Sequence, residues 1–409
     1  MAITLIKNGR IYKDSLEKWV PADILIKSGT ITAIEENIPV KKSYSLFNAK
    51  GNLIVPAFAD LRTHLYLPPY IRTEDLSTTL QAARAGGYGV LLAAPTTPAL
   101  LVRTEQIRQA LKESEQESGK LFFTASVSDT SGRPSDLKAL FEAGAFAAAE
   151  EGYSDAVTLH RAMQICAEQN KLMIVRPKSR EFVKDNLSLA DYRSSRISPL
   201  AEDFAAVKAI ALAADTGCHL HLTAVSSKGT IEAIRAAKKQ GISLTCDVCP
   251  PYFTLTGSDI LFYGNHVKLD PPLRREEDRQ AILSALADGT IDAISSDHTA
   301  VEKWEKEKSF ESARCGMLSL QTAFSVSLTA LVKTGFIPLT RLLELMALSP
   351  LKIMGLPYTL SEGSQTALTV CDVNTEETFQ KKDLIHRSGV ENSPYPGQVL
   401  TGKILFTST

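Results

Sequence analysis

From about residue 51 to 355, short apolar runs alternate with longer stretches whose apolar residues recur at helical spacing. The strand-like runs fall at 89–93, 121–127, 145–149, 172–175, 219–223, 243–248 and 291–295. The helical stretches between them fall at 79–85, 104–116, 137–143, 154–169, 202–215, 228–240 and 274–287. With an apolar run at 53–57, the strand count approaches eight. Repeated strand–helix units of this length predict an α/β chain folded as a (β/α)8 TIM-type barrel, with any chemistry at the C-terminal ends of the strands.

The two ends of the chain follow a different rhythm. Residues 3–50 read as short strands at 4–7, 11–12, 23–27 and 30–34, with Asn8-Gly9 and Ser28-Gly29 as hairpin signals. Strands this short need partners. The C-terminal end supplies them at 367–373 and 399–407, separated by the turn Pro394-Tyr395-Pro396-Gly397. The expected organisation is a composite β-sandwich domain from residues 1–50 plus 356–409, and a barrel domain over 51–355.

Composition narrows the function classes. The chain has 409 residues, 44% hydrophobic and 22% charged, within the usual range for a globular protein. A net charge of −1 gives no electrostatic case for nucleic acid or a membrane surface. No apolar run is long enough to span a bilayer. Residues 1–7 lack the apolar core of a signal peptide, and six scattered cysteines form no disulfide framework, so the expected location is cytoplasmic. Internal repeats and low-complexity segments are absent from the sequence. Any metal site must draw its imidazoles from seven histidines: His64, His160, His219, His221, His266, His298 and His386.

Four co-linear motifs carry a resemblance. They are Asp60-Leu61-Arg62-Thr63-His64-Leu65, Lys268-Leu269-Asp270-Pro271-Pro272-Leu273-Arg274, the run 289–298 ending in Ser296-Asp297-His298, and Asn392-Ser393-Pro394-Tyr395. They resemble Asp-x-His-x-His-Leu-Arg, Lys-x-Asn-Pro-Pro-Leu-Arg, Gly-Thr-Ile-Asp-x-Ile-x-x-Asp-His and Asn-Ser-Pro-aromatic of dihydroorotases, members of the amidohydrolase superfamily. Over nearly its whole length the chain is most similar to the dihydroorotase homologue that accompanies bacterial aspartate carbamoyltransferase as a non-catalytic subunit. An active dihydroorotase of this family implies zinc, a metal-activated water and an aspartate that moves the proton.

The slots of that metal site are largely vacated. The first histidine slot holds Arg62, leaving His64, and Tyr66 stands where the substrate-binding arginine would be. The second element, a carbamylated lysine or an aspartate, reads Ala149-Glu150-Glu151-Gly152, with no lysine between 139 and 170. The next two histidine slots hold Arg176 and Ala224, and the last ligand slot keeps Asp297. The substrate elements become Ala94-Pro95-Thr96-Thr97, Pro250-Pro251-Tyr252 and Asp297-His298-Thr299-Ala300-Val301. Arginine stays protonated and is not a metal ligand.

Catalytic, metal-binding and substrate-binding residues are therefore not expected, nor is a cofactor. His64, Glu151, Asp297 and His298 are read as vestiges. Arg62 or Arg176 is expected within salt-bridge reach of Asp297 or of Glu150 or Glu151. The resemblance implies the aspartate carbamoyltransferase catalytic chain as partner, with homo-oligomer contacts. The alternative is an active zinc amidohydrolase with an atypical site on His64, Glu151, Asp297 and His298.

Three further signals have bland readings. In His219-Leu220-His221, parity counted back from Ala224 turns both imidazoles outward toward the helices. Cys246-Asp247-Val248-Cys249 reads as a pair of buried, inert thiols. The charge run over 302–308 reads as a solvated loop or helix face.

Overall fold

The computed structural model describes residues 3–408 except 14–16, 68–72, 96–99, 116, 118, 183–188, 194–197 and 388. The first five strands are β1 (Ile3–Lys13), β2 (Lys18–Lys27), β3 (Thr30–Glu35), β4 (Ser45–Asn48) and β5 (Leu53–Pro56). Eight more follow as β6 (Phe58–Thr63), β7 (Tyr88–Ala93), β8 (Lys120–Ser126), β9 (Ala147–Glu150), β10 (Met173–Val175), β11 (Leu220–Leu222), β12 (Leu244–Val248) and β13 (Ala293–Ile294). The last two are β14 (Leu368–Thr378) and β15 (Val399–Thr407).

Strands β6 to β13 form one parallel sheet in chain order, the (β/α)8 arrangement predicted by the alternation. Its two edges meet at the C-terminal face. Thr63 bridges His298, and the His64 N–H donates to the His298 carbonyl at 2.9 Å. The inner face of the barrel is packed with Ala59, Leu61, Val90, Leu92, Ala147, Ala149, Ile174 and Ala293, against Leu351 and Met354 from the C-terminal helical segment. Helices including Ala156–Glu168, Leu200–Thr216, Lys228–Lys239 and Glu276–Asp288 surround it. Several start where a short polar side chain accepts an orphan N–H: Asp75 from Thr78, Asp155 from Thr158 and Ser227 from Thr230. Caps of this kind each contribute about 1 kcal/mol.

The remaining strands build a separate β-sheet domain from both ends of the chain, in the order β15-β14-β5-β1-β2-β3 with β4 also paired to β1. Its core is Ile6, Ile24, Ile26, Ile31, Ile54, Leu368 and Val370. Ser28-Gly29 makes the expected tight turn: both residues have positive φ, 47° and 78°, and Lys27 pairs with Thr30. Asn8-Gly9 does not turn the chain. It forms a bulge within β1, where Asn8 has φ 57° and donates its N–H to Asp23 Oδ1 at 2.8 Å. Glycine is needed next to it because a Cβ on Gly9 would lie 2.2 Å from the Ile54 side chain.

The run at 53–57 is also placed differently. Leu53–Pro56 belongs to the outer sheet, pairing Arg10 of β1 and Leu368–Cys371 of β14, and the first barrel strand begins at Phe58. The exchange of partners takes one residue. Ala57 donates to the Ala367 carbonyl and Phe58 to the Gly87 carbonyl. A continuous apolar run carries no periodic mark at such a handover. Among the described residues, no helix is long and apolar enough to cross a membrane.

Candidate functional site

The C-terminal ends of β6, β9, β10 and β13 bring five of the sequence-selected residues together: Arg62, His64, Glu151, Arg176 and Asp297. Arg62, on the last turn of β6, is 3% exposed and donates from Nη1 and Nη2 to the two oxygens of Glu151 at 2.7 and 3.0 Å. Its Nε donates to Asp297 Oδ1 at 2.7 Å. His64 Nε2 lies 3.3 Å from the same Asp297 oxygen. Arg176, just after β10, places Nη1 3.7 Å from Glu151 Oε2. One guanidinium thus spans the two carboxylates, and a second stands beside them.

Sequence reasoning missed the next pair of the network. Arg176 Nη2 is 2.6 Å from Asp270 Oδ1, and Lys178 Nζ donates to Asp270 Oδ2 at 2.7 Å. The Arg176–Asp270 contact is an ion pair rather than an aligned hydrogen bond, because the Nη2 hydrogens do not point at the oxygen. A signal was present in the sequence. Asp270 stands where the related motif has asparagine, and Arg176 and Lys178 are two cations at i, i+2 on one strand end.

The electrostatics follow from burial set against pairing. Burial opposes the charge on Glu151, but Arg62 first, then Arg176 and His64, hold its carboxyl below the usual range. The same contest, won by Arg62 and His64, depresses Asp297. Asp270 is depressed by Arg176 and Lys178 against burial. Arg62 is held above its ordinary value by Glu151 and Asp297, despite burial. Each of these four side chains is fixed in its charged form.

The other sequence-selected residues lie elsewhere. Glu150 turns into its own loop, where Oε1 accepts the Ser154 N–H at 3.0 Å and Oε2 the Ser154 hydroxyl. His298 does not join His64, Glu151 and Asp297. Its Nδ1 accepts the N–H groups of Ser319 and Leu320 at 3.2 and 3.3 Å, so the ring proton sits on Nε2, which faces Glu74 Oε2 at 3.2 Å. Both partners are buried, and sequence reasoning did not select Glu74. Ala224 is fully buried at φ 53° and donates its N–H to Asp247 Oδ1 at 2.8 Å. Thr96 and Thr97 lie outside the described residues. Tyr66 is buried and donates to the Ala300 carbonyl; burial pushes its hydroxyl up to about 12. Tyr252 donates to the Pro271 carbonyl at 2.8 Å.

His221 corrects the parity argument. Its neighbours Leu220 and Leu222 pack in the outer core, so His221 projects to the opposite, inner face. There Nε2 donates to Asp247 Oδ2 and Nδ1 faces Thr245 Oγ1, both at 2.9 Å. The left-handed backbone at Ala224 breaks the alternation, so parity cannot be counted back across it. Asp247 also accepts from Thr223 Oγ1 and Ser295 Oγ and is fully satisfied. The two cysteines of 246–249 are buried free thiols, raised by burial, with Sγ atoms near Thr290 O and Ser295 Oγ. In the charge run, Lys306 is buried rather than solvated, donates to the Asn265 carbonyl at 2.9 Å, and is lowered by burial to about 8.

Fold and site together define a (β/α)8 barrel with its polar cluster at the face where such barrels carry chemistry. The chain belongs to the amidohydrolase family, whose model matches residues 53–395. It is 32% identical over 414 residues to the dihydroorotase of Caldanaerobacter subterraneus subsp. tengcongensis, covering 98% of this chain and 95% of that one. It is 31% identical over 410 residues to the dihydroorotase of Bacillus subtilis, covering 97% of this chain and 95% of the relative. The fold matches the solved L-hydantoinase (dihydropyrimidinase) of Arthrobacter aurescens with a TM-score of 0.86 at 24% identity, over 100% of this chain and 94% of that one. The D-hydantoinase (dihydropyrimidinase) of Thermus sp. matches with a TM-score of 0.84 at 20% identity, over 99% and 94%. At these identities the solved structures speak for the fold alone.

Proposed function

We propose that this chain is a catalytically silent dihydroorotase homologue that serves as a structural and assembly subunit for aspartate carbamoyltransferase in pyrimidine synthesis. The observation that carries the silence is the position of Arg62. Its guanidinium occupies both oxygens of Glu151 and the inner oxygen of Asp297, the carboxylates a metal would need. A catalytic zinc requires about three protein ligands plus a water. Among the described residues, His64 is the one imidazole in contact with the cluster, through Asp297. A divalent cation would have to displace a bidentate, charge-assisted pair and lie beside two fixed positive charges. The donor set therefore does not fit zinc.

The assembly role rests on the resemblance. The fold is kept over the whole chain while the ligand slots are lost one by one, the pattern of a subunit retained for its shape. The test is co-expression with the transferase of the same organism, followed by size-exclusion chromatography with mass detection. Co-elution in fixed stoichiometry, with transferase stability or activity dependent on this chain, is expected. Separate elution at micromolar concentrations, with a fully active transferase alone, overturns the role.

A second reading has one observation in its favour: the relatives named dihydroorotase match across the full chain. On that reading, His64, Glu151 and Asp297 hold zinc after Arg62 swings away. Metal content and turnover separate the two.

A further inference from the structure

A cleft of about 580 Å³ opens where the sheet domain meets the underside of the barrel, the end opposite the mouth. Its walls fix that place. One wall is the end of the β1–β2 pair, with Tyr12 and Trp19, together with Val55 and Pro56 just before the first barrel strand begins at Phe58. The other is the helical segment 340–352, with Tyr358 beyond it. Arg341 of that segment donates to the Ile291 carbonyl at 2.8 Å, ahead of β13, which holds the segment at the N-terminal ends of the strands. Sites for small molecules favour such domain junctions and span roughly 300–1,000 Å³.

The cleft shows rings that the fold leaves partly uncovered. Tyr12 and Trp19 are directly opposed across β1 and β2, and their rings meet edge to face at 5.3 Å. Tyr12 and Tyr358 are 38% and 40% exposed. Neither hydroxyl, nor the Trp19 indole N–H, has a hydrogen-bond partner among the described residues. The rings therefore present flat apolar faces with open polar edges. The charges on the walls are unevenly answered. Arg341 is spent within the chain: Nη1 donates to Glu344 at 2.7 Å, and the other two nitrogens donate to the Leu286 and Ile291 carbonyls. That pair cancels. Lys352, exposed on the same wall, has no hydrogen bond or ion pair among the described residues. One unanswered positive charge beside aromatic faces is the combination that recognises a flat ring bearing an acid group.

We propose that this cleft binds a small planar aromatic anion, its ring against Tyr12, Trp19 and Tyr358 and its carboxylate or sulfonate on Lys352. The occupant is a small molecule because the walls belong to two domains and enclose a concave space rather than a flat face. A single unanswered cation favours one acid group over the several of a polyphosphate. This end of the barrel is remote from the Arg62 cluster, so the site is independent of what the mouth does.

The chain has two tryptophans, Trp19 and Trp304, so Trp304→Phe leaves Trp19 as the single indole reporter. The full chain carrying that change is titrated with anilinonaphthalene sulfonate, an aromatic anion whose absorption overlaps indole emission. Saturable binding of one dye per chain is expected at about 10–100 µM, with Trp19 emission quenched as the dye brightens. Tyr358→Ala and Lys352→Glu, both at exposed positions, are each expected to weaken binding at least about tenfold and to leave the unfolding transition unchanged. Phe262→Ser, at a residue 80% exposed on a different helix, leaves the affinity as it was. Naphthoate displaces the dye, and uncharged naphthalenemethanol does so at least about tenfold less well. Absence of saturable binding overturns the proposal, as does equal displacement by the uncharged ring. An affinity unmoved by Tyr358→Ala or by Lys352→Glu also overturns it, and marks the dye as adsorbed to apolar surface at large.

Discussion

Arg62 holds two carboxylates at once, and its removal leaves one of them, Glu151, 4% exposed with only the longer Arg176 contact. Arg62→Ala is expected to cost about 3–5 kcal/mol, the usual penalty for stranding one partner of a buried pair. Arg62→Lys keeps the charge, loses the two-pronged contact and falls between. Urea unfolding at neutral pH measures both, and an unchanged midpoint for Arg62→Ala contradicts a closed ion-pair cluster. The acids titrate in opposite senses. Glu151 and Asp297 are depressed in the folded state, so their stabilisation is complete above the unfolded carboxylate range near pH ~4 and is lost as pH falls through their lower folded values. Asp60 is raised by burial to about 6, against hydrogen bonds from Ser296 and Thr63. The folded chain therefore holds a proton there that the unfolded chain has released, and this residue lowers stability as pH rises from about 4 to about 6. Asp60→Asn is expected to flatten that descent in denaturant midpoints across pH 4 to 7; an unaltered slope rules Asp60 out as its source. The Arg62 cluster was legible in the sequence, because a motif that keeps an acid while its metal slots hold arginine leaves one charge to answer the other. The choice between Glu150 and Glu151 was not. Adjacent residues at a strand end face opposite ways, and the side facing the mouth depends on β9 ending at Glu150. The partner of His298 was hidden for a similar reason, since Glu74 is 224 residues away in the chain.

The strand ends decide more than their sequences reveal. After β11 the chain enters the left-handed region at Ala224, φ 53°, and this turns its N–H onto Asp247 of β12. His221, Thr223, Ala224 and Ser295 all donate to that carboxylate, tying β11, β12 and β13 together beneath the mouth. Asp247→Ala removes the common acceptor of four buried donors and is expected to destabilise by about 3–5 kcal/mol. Thermal unfolding followed by circular dichroism checks it, and a loss under about 1 kcal/mol would mean that water replaces the carboxylate easily. None of this follows from parity, which assumes regular β geometry through the residue being counted. Most helices and strands, by contrast, were read to within a few residues, because their burial on one face imposes the period. The errors fell where an element changes partner, at Leu53–Pro56, or spends a turn signal on a bulge, at Asn8-Gly9.

The whole molecule is a nearly closed parallel barrel with a sheet domain drawn from both chain ends, and its polar mouth is neutralised from within. Arg62, Arg176 and Lys178 meet Glu151, Asp297 and Asp270 in a chain of contacts from β6 across to the 268–274 segment. The overall architecture was readable from the alternation alone, while the internal pairing needed the fold to bring residues 62, 151, 176, 270 and 297 together. Metal occupancy of the purified chain after incubation with zinc and removal of excess, measured together with interconversion of carbamoyl aspartate and dihydroorotate, tests the central claim most directly. The account predicts well under one zinc per chain and no turnover in either direction. Stoichiometric zinc, with turnover abolished by a chelator and restored by the metal, would contradict it.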